Sequence, residues 1–198
     1  MILVAGGYRT GSTLQYNLIG EYLEHSGLGR RGGYLDPDGA DRFVADCRDA
    51  FAVVKCHQIA AGFHTYDHPG AWGEAVRRGD VVALLTERDA SDVERSMCRK
   101  FGIARDALHA SEIWRENEAN LALWRPLADS AQHYDDLTRR PRQSLMAVLR
   151  QVGVPVRGRS VRYAVEASSV ERMQRHQRDV PTGTWDPVTL IHWDHIAD

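Results

Sequence analysis

The chain begins with an apolar run that enters a glycine-rich turn and continues into a helix-forming segment. Residues 1–14 are MILVAGGYRTGSTL, with Gly6, Gly7 and Gly11 in the turn and the hydroxyl pair Ser12–Thr13 after it. Glycines let backbone N–H groups converge on an anion, and a new helix adds unpaired N–H groups and the positive end of its dipole. This layout predicts a phosphate-binding loop between a buried strand and a helix.

The spacing of this loop differs from that of the Walker nucleotide-binding loop, G-x-x-x-x-G-K-[ST]. A Walker loop that started at Gly6 would have its lysine at position 12, where this chain has Ser12. The cation comes earlier in the loop, as Arg9. The loop can therefore hold a phosphate, but it lacks the lysine that reaches a γ-phosphate.

Short apolar runs recur along the chain and are separated by segments with helical spacing. The predicted strands are Ile2–Ala5, Ala52–Lys55, Val81–Thr86 and about Ser130–Tyr134. This alternation predicts a three-layer α/β fold, similar to P-loop NTPases, with a central parallel sheet of about four to five strands. At 198 residues the chain is expected to form one domain, residues 1–198.

The segments between the strands carry helix signals of different strength. The predicted helices cover about Ser12–His25, Asp41–Ala50, Pro69–Arg78, Asp89–Phe101, Asp106–Trp124 and Pro141–Val152. The glycine- and charge-rich segment Gly29–Gly39 is predicted to be an exposed loop with Tyr34 at its centre, and the tail after Val156 has mixed signals. Exposed aromatic residues on the long helix Asp106–Trp124 would indicate a homodimer.

Composition and charge argue against several classes of protein. The formal net charge of −2 argues against a general nucleic-acid binder, which usually has a basic excess. No apolar run approaches the ~18 residues of a membrane span, and the first strand leaves no room for a signal peptide. The scattered Cys47, Cys56 and Cys98 indicate reduced thiols. We therefore expect a cytoplasmic protein with no nucleic-acid or membrane partner.

Three of the predicted strands are followed by polar segments that carry cations or a titratable base. In open α/β sheets, ligands bind beyond the carboxyl ends of the strands. The loops after Ala5, Lys55 and Thr86 should therefore meet at one edge of the sheet. The side chains brought together there would be Arg9, Lys55, His57, Arg88 and Ser96. This cationic set with one base suits a ligand with two phosphate-like groups and a hydroxyl group that loses its proton.

These segments resemble the motifs of sulfotransferases that use 3′-phosphoadenosine 5′-phosphosulfate (PAPS). RTGST at 9–13 resembles their 5′-phosphosulfate loop, with threonine at position 10 where serine is usual. KCH at 55–57 resembles their Lys-x-His, and RDASDVERS at 88–96 matches their 3′-phosphate motif Arg-Asp-x-x-Asp-x-x-x-Ser. YDDL at 134–137 is similar to their Tyr-Glu-Asp-Leu segment. The resemblance runs in order over about residues 1–155.

The resemblance implies a donor, PAPS, a product, 3′-phosphoadenosine 5′-phosphate (PAP), and no required metal. It implies that His57 is the general base for the acceptor hydroxyl, and that Lys55 and Arg9 act on the transferred group and its leaving phosphate. The tail from Gly183 is loosely similar to the loop that covers the cofactor in the family. The residues implied for the cofactor are Arg9, Thr10, Gly11, Ser12, Thr13, Arg88, Ser96 and Tyr134, whose ring would face the adenine.

The acceptor and the base each have alternatives. Residues 9–35 also resemble bacterial carbohydrate sulfotransferases of the trehalose type, which have a glutamate base before an aromatic residue. Glycines precede Tyr34 here, so Asp36 or Asp38 would have to substitute, and His57 is the better candidate. The acceptor is predicted to be a small molecule with a hydroxyl group, and a sugar, a phenol or another natural product would fit equally well. Aromatic residues in the segments 29–39 and 58–72 are expected to shape its pocket.

The sequence also leaves two other functions open and contains two histidine segments that could suggest a metal site. The alternatives are an ATP- and Mg²⁺-dependent phosphotransferase, against which Ser12 stands, and a catalytically silent nucleotide-binding module. His64 and His68 have a zinc-ligand spacing, but no third ligand stands out, so no metal is expected there. The segment His192–His195 is interpreted as a cap on the tail rather than a metal site.

Overall fold

The computed structural model describes residues 1–47, 50–57 and 70–194. In this part of the chain, five parallel strands form one sheet in the order β2-β3-β1-β4-β5. The strands are β1 (Ile2–Gly6), β2 (Gly29–Tyr34), β3 (Phe51–Lys55), β4 (Val82–Glu87) and β5 (Ser130–His133). The predicted α/β class, the parallel sheet and its number of strands are confirmed.

The helices lie between and after the strands. They are α1 (Ser12–Ser26), α2 (Ala40–Asp46), α3 (Gly70–Arg77), α4 (Ala90–Phe101), α5 (Arg105–Leu108), α6 (Glu112–Trp124), α7 (Tyr134–Arg139), α8 (Pro141–Gln151), α9 (Gly158–Ala167) and α10 (Val170–Asp179). A 3₁₀ turn at Pro37–Gly39 precedes α2. Of the described helices, none is long and apolar enough to cross a bilayer.

The sheet separates two apolar cores, which is why its central strands are apolar on both faces. On one face, Ile2 and Val4 of β1 pack with apolar residues of α1, α8, α9 and α10. On the other face, Leu3 and Ala5 pack with residues of α2, α3 and α6. Strand β1 is central and wholly buried, so the loop that follows it is anchored from both sides.

Strand β2 corrects the prediction that Gly29–Gly39 is an exposed loop. Residues Gly29–Tyr34 form the edge strand next to β3. Of the two arginines in β2, Arg31 turns towards α1. It donates to Glu21 at 2.6 Å and to Glu24 at 2.5 Å, and the Arg31 side chain is only 6% exposed. The segment is therefore a strand despite its polar sequence, because backbone pairing and these ion pairs hold it in the sheet.

Three helix predictions also need correction. The predicted helix Asp106–Trp124 is broken into α5 and α6, because Ser111 caps α6 and its Oγ accepts the N–H of Trp114 at 3.3 Å. The predicted helix Asp41–Ala50 ends earlier, at Asp46. Two helices, α9 and α10, lie in the tail for which no element was predicted.

Candidate active site

The phosphate loop between β1 and α1 is tied to its neighbours by side-chain hydrogen bonds. The Thr10 hydroxyl donates to the Gly7 carbonyl at 2.9 Å and lies 2.8 Å from the Thr86 hydroxyl on β4. The Tyr8 N–H donates to Oδ1 of Asn117, on α6, at 2.5 Å. These bonds hold the loop to β4 and α6. Asn117 and Thr86 were not predicted to take part.

The backbone of the loop turns sharply before α1. Gly11, which caps α1, has φ +103°, and Arg9 lies in the left-handed region at φ +64°. A Cβ atom at Gly11 would lie 2.5 Å from the ring of Tyr134. Position 11 therefore requires glycine for its conformation and for the close approach of Tyr134.

The predicted 3′-phosphate motif lies directly against the loop. Nε of Arg9 donates to the Ser96 hydroxyl at 2.8 Å, and Nη1 of Arg88 is 3.4 Å from the Arg9 carbonyl. The guanidinium of Arg88 lies over the ring of Tyr134, 4.2 Å from its centroid, in a cation–π contact. Burial and the nearby Arg88 lower the pKa of Arg9. This concentration of positive charge favours an anion between the loop and α4.

Lys55 brings a second cation to the loop from the end of β3. Its Nζ donates to the Thr13 hydroxyl at 2.8 Å, and the residue is only 5% exposed. Burial, and then the charge of Arg9, lower the pKa of Lys55 to about 7. An anion in the loop would offset both effects, so a phosphate-like ligand and the protonated Lys55 stabilise each other.

His57 is held as a neutral base with a defined tautomer. Its Nδ1 lies 2.7 Å from the Gly6 carbonyl, and a carbonyl only accepts, so Nδ1 carries the proton and Nε2 keeps its lone pair. The indole N–H of Trp124 donates to the His57 carbonyl at 3.1 Å and fixes the backbone. Burial, and then Lys55, lower the pKa of His57 to about 3. The tautomer is the one that a general base needs, and a bound anionic donor would raise the pKa of His57 towards the range of an efficient base, because it would offset the charge of Lys55.

These groups open into one cleft of about 570 Å³. Its described charged lining is basic, and aromatic rings stand at its sides. The lining includes Tyr8, Arg9, Gly11, Ser12, Thr13, Tyr34, Lys55, His57, Arg88, Ser96, Arg99, Lys100, Phe101, Tyr134, Trp185 and His192. Nine of the predicted site residues therefore share this cleft. The hydroxyl of the tenth, Thr10, is turned towards β4 instead.

The tail and the end of α4 supply cleft residues that were not among the predicted site residues. Trp185 and His192 pair as an isolated antiparallel bridge, and Asp194 forms an ion pair with Lys100. Arg99 and Lys100 follow Ser96 by three and four residues. In a helix this spacing puts them on the same side as Ser96, so the sequence could have predicted their position on α4. The loose similarity of the tail from Gly183 to a cofactor-covering loop pointed to the cofactor site, but it did not single out Trp185 or His192.

The remaining sequence candidates do not meet in the cleft. Asp36, the alternative base, is exposed at the start of the 3₁₀ turn and is not part of the cleft lining. His64, His68 and His195 lie outside the described residues. Within residues 1–47, 50–57 and 70–194, no group of three or more His, Cys, Asp or Glu side chains could hold a metal.

The parallel sheet, with a phosphate loop after its central strand, makes this a P-loop-like α/β fold. Comparison with solved structures shows which proteins share it. The fold matches mouse sulfotransferase SULT7A1 complexed with PAP, with a TM-score of 0.63 and 11% identity, over 100% of this chain and 72% of that one. It also matches retinol dehydratase in complex with androsterone and the inactive cofactor PAP (TM-score 0.55, 12% identity, 87% of this chain, 65% of that one). Retinol dehydratase with retinol and PAP matches with a TM-score of 0.58 and 12% identity, over 90% of this chain and 68% of that one.

The chain therefore has the sulfotransferase fold, in a form that spans about two thirds to three quarters of the length of these proteins. No protein-family model matches the chain, and no curated protein matches it by sequence.

Proposed function

We propose that the protein transfers a sulfuryl group from PAPS to a hydroxyl group of a small-molecule acceptor, with His57 as the general base. The observation that carries this proposal is the convergence of Lys55 and His57, from the end of β3, with the Arg9–Ser96–Arg88 group at the phosphate loop. The three solved structures compared above are complexes that contain PAP. The surplus of buried positive charge fits a donor with two phosphate groups.

Two adjacent groups of residues in the cleft would bind the two phosphate groups of the donor. Arg9 and the N–H groups at the start of α1 would hold the 5′-phosphate and stabilise the charge that grows there as it leaves. Arg88 and Ser96 would hold the 3′-phosphate and thereby position the donor. Tyr134, already stacked under Arg88, would present its ring to the adenine.

Lys55 and His57 would act at the reacting atoms. When bound, the donor supplies an activated sulfuryl group, so the acceptor oxygen bonds to sulfur while the bond from sulfur to the phosphate oxygen breaks. His57 takes the acceptor proton on Nε2, because its Nδ1 proton is held by the Gly6 carbonyl. The Lys55 ammonium, which reaches the loop at Thr13, offsets the negative charge on the transferred group and on the departing phosphate.

The pKa values of this pair predict a falling pH profile. His57, with a pKa of about 3, is already neutral throughout the practical range, whereas Lys55, with a pKa of about 7, loses its charge as the pH rises. We expect kcat/KM for the donor to fall above about pH 7, by up to tenfold per pH unit, since this parameter reports the free enzyme. The Lys55→Arg variant should lose this decline, because a guanidinium stays charged throughout this pH range. A profile in wild type that rises through pH 7 would contradict the assignment.

The proposal is tested by calorimetric titration with PAP and, separately, with ATP plus Mg²⁺. We expect PAP to bind and Arg88→Ala to weaken it by about 10- to 100-fold, as for a lost charged hydrogen bond, while 5′-AMP binding changes little. Arg95→Ala is the control, because Arg95 lies on α4 close to Arg88 in the chain but is exposed and is not part of the cleft lining. Preference for ATP with Mg²⁺ would instead support the phosphotransferase alternative. PAP binding without turnover across an acceptor panel would support the silent module.

A further inference from the structure

The charge of this chain is divided unevenly along its length. Residues 139–178 contain ten arginines and two glutamates, a net charge of +8, whereas the whole chain has a net charge of −2. The rest of the chain is therefore net −10. An asymmetry of this size indicates a surface for an anionic partner.

The ten arginines are all exposed and belong to one layer of the fold. Helices α8, α9 and α10 bury their apolar residues against α1 on the same face of the sheet, so their other sides form one outer surface. On α9, for example, Ser160, Val161 and Ala164 are buried, while Arg159 and Arg162 point outward. We name this the arginine face: Arg139, Arg140, Arg142, Arg150, Arg157, Arg159, Arg162, Arg172, Arg175 and Arg178.

Few of these charges are offset by acidic partners. Arg139 pairs with Asp135 and Arg172 pairs with Glu166, and both pairs are well exposed. Glu171 is the other carboxylate within residues 139–178. These carboxylates subtract from the charge of the face, but the ten arginines outnumber them, so the face keeps a positive potential.

Large apolar side chains are exposed on the same part of the molecule. Six of the eight exposed large hydrophobic residues described lie between residues 156 and 193: Val156, Tyr163, Val170, Trp185, Val188 and Trp193. The tail that carries the last three is joined to this layer, because Asp186 bonds to His176 of α10 at 2.6 Å, and the carbonyl of Val188 accepts from Tyr16 of α1. Trp185 is 55% exposed.

We propose that the arginine face and these apolar side chains dock on the surface of an anionic lipid bilayer. Arginines attract anionic headgroups. The tryptophan, tyrosine and valine side chains near them would bury apolar surface at the boundary between headgroups and acyl chains, which strengthens binding. A nucleic acid would satisfy the arginines but would leave the valines without a partner. Val170 and Trp185 belong both to this surface and to the lining of the cleft, so docking brings the cleft opening to the headgroups.

The test is sedimentation of the full chain with vesicles of 70% phosphatidylcholine and 30% phosphatidylglycerol, and with vesicles of phosphatidylcholine alone. We expect binding to the anionic vesicles only, and release at high salt. The triple variant Arg159→Ala, Arg162→Ala, Arg178→Ala should lose about 100-fold in partitioning, at about fivefold per arginine. The proposal does not require sulfotransferase activity, and PAP titration of the same variant shows whether its cleft is intact.

The matched control removes the same charge from the opposite side of the sheet. Arg42, Arg77 and Arg115 are exposed on α2, α3 and α6, so their triple alanine variant has the same net charge as the first. We expect this control to bind anionic vesicles as wild type does. An equal loss in both variants, no binding of wild type to anionic vesicles, or binding to a 20-base-pair DNA duplex in place of vesicles would each overturn the proposal.

Discussion

Replacing His57 with alanine should lower kcat by about 10²–10⁴-fold, because it removes the only proposed acceptor of the hydroxyl proton. Binding of PAP should persist, since the phosphate loop keeps the bonds of Thr10 and Asn117 when the bond from His57 to the Gly6 carbonyl is lost. The measurement is single-turnover transfer to any acceptor that wild type accepts, alongside calorimetry with PAP. Added imidazole should restore part of the rate, because the space left by the ring lies in the cleft.

His109→Ala is the control for this experiment. His109 is half exposed, pairs with Glu94 at 3.1 Å and lies outside the lining of the cleft, so its loss should leave kcat unchanged. The alternative base is tested in the same series with Asp36→Asn. If His57→Ala kept its rate while Asp36→Asn lost it, the base would be the loop carboxylate, and the interpretation of His57 would be wrong.

Gly11→Ala should damage both stability and donor binding. Alanine at φ +103° is strained by about 1–3 kcal/mol, and its Cβ would lie 2.5 Å from the ring of Tyr134. Relief of that contact would move Tyr134 away from the loop and from Arg88. We expect Tm to fall by about 2–4 °C for each kcal/mol lost, and PAP affinity to fall by about tenfold or more.

Gly27→Ala separates the two effects. Gly27 ends α1 at φ +66°, and a Cβ atom there would meet nothing within 4 Å. It should therefore lower Tm through backbone strain alone and leave PAP affinity unchanged. Equal loss of PAP affinity in the two variants would mean that the contact between Gly11 and Tyr134 is not part of the donor site.

The sequence predicted the sheet centre well because burial on both faces leaves a direct pattern. The apolar runs at β1, β3 and β4 are flanked by helical segments, and the polar residues after each run lie together as parallel strands require. Arg9, Lys55 and Arg88, which are far apart in sequence, were placed at one edge by this rule. Three strand ends and one loop sufficed to predict most of the candidate site.

Strand β2 and the tail could not be predicted for different physical reasons. The residues of β2, GRRGGY, show no apolar alternation. The side chain that turns inward is Arg31, and its charge is neutralised by Glu21 and Glu24 of the preceding helix, a pairing that a strand pattern does not reveal. The tail depends on single long-range contacts, such as Lys100 with Asp194, that leave no periodic signal. The break between α5 and α6 did have a signal, the capping Ser111, which the long apolar spacing outweighed.

The central position of β1 has a consequence for the order in which the chain can fold during synthesis. Ile2 pairs with Val53 on one side and with Val82 on the other, so β1, which precedes the other four strands of the sheet, has both neighbours only when β4 has emerged from the ribosome. Until then, one edge of an apolar strand stays open to wrong partners. The phosphate loop, which needs Thr86 of β4, closes at the same late step. Nascent chains that end before β4 should therefore aggregate and lack the donor site.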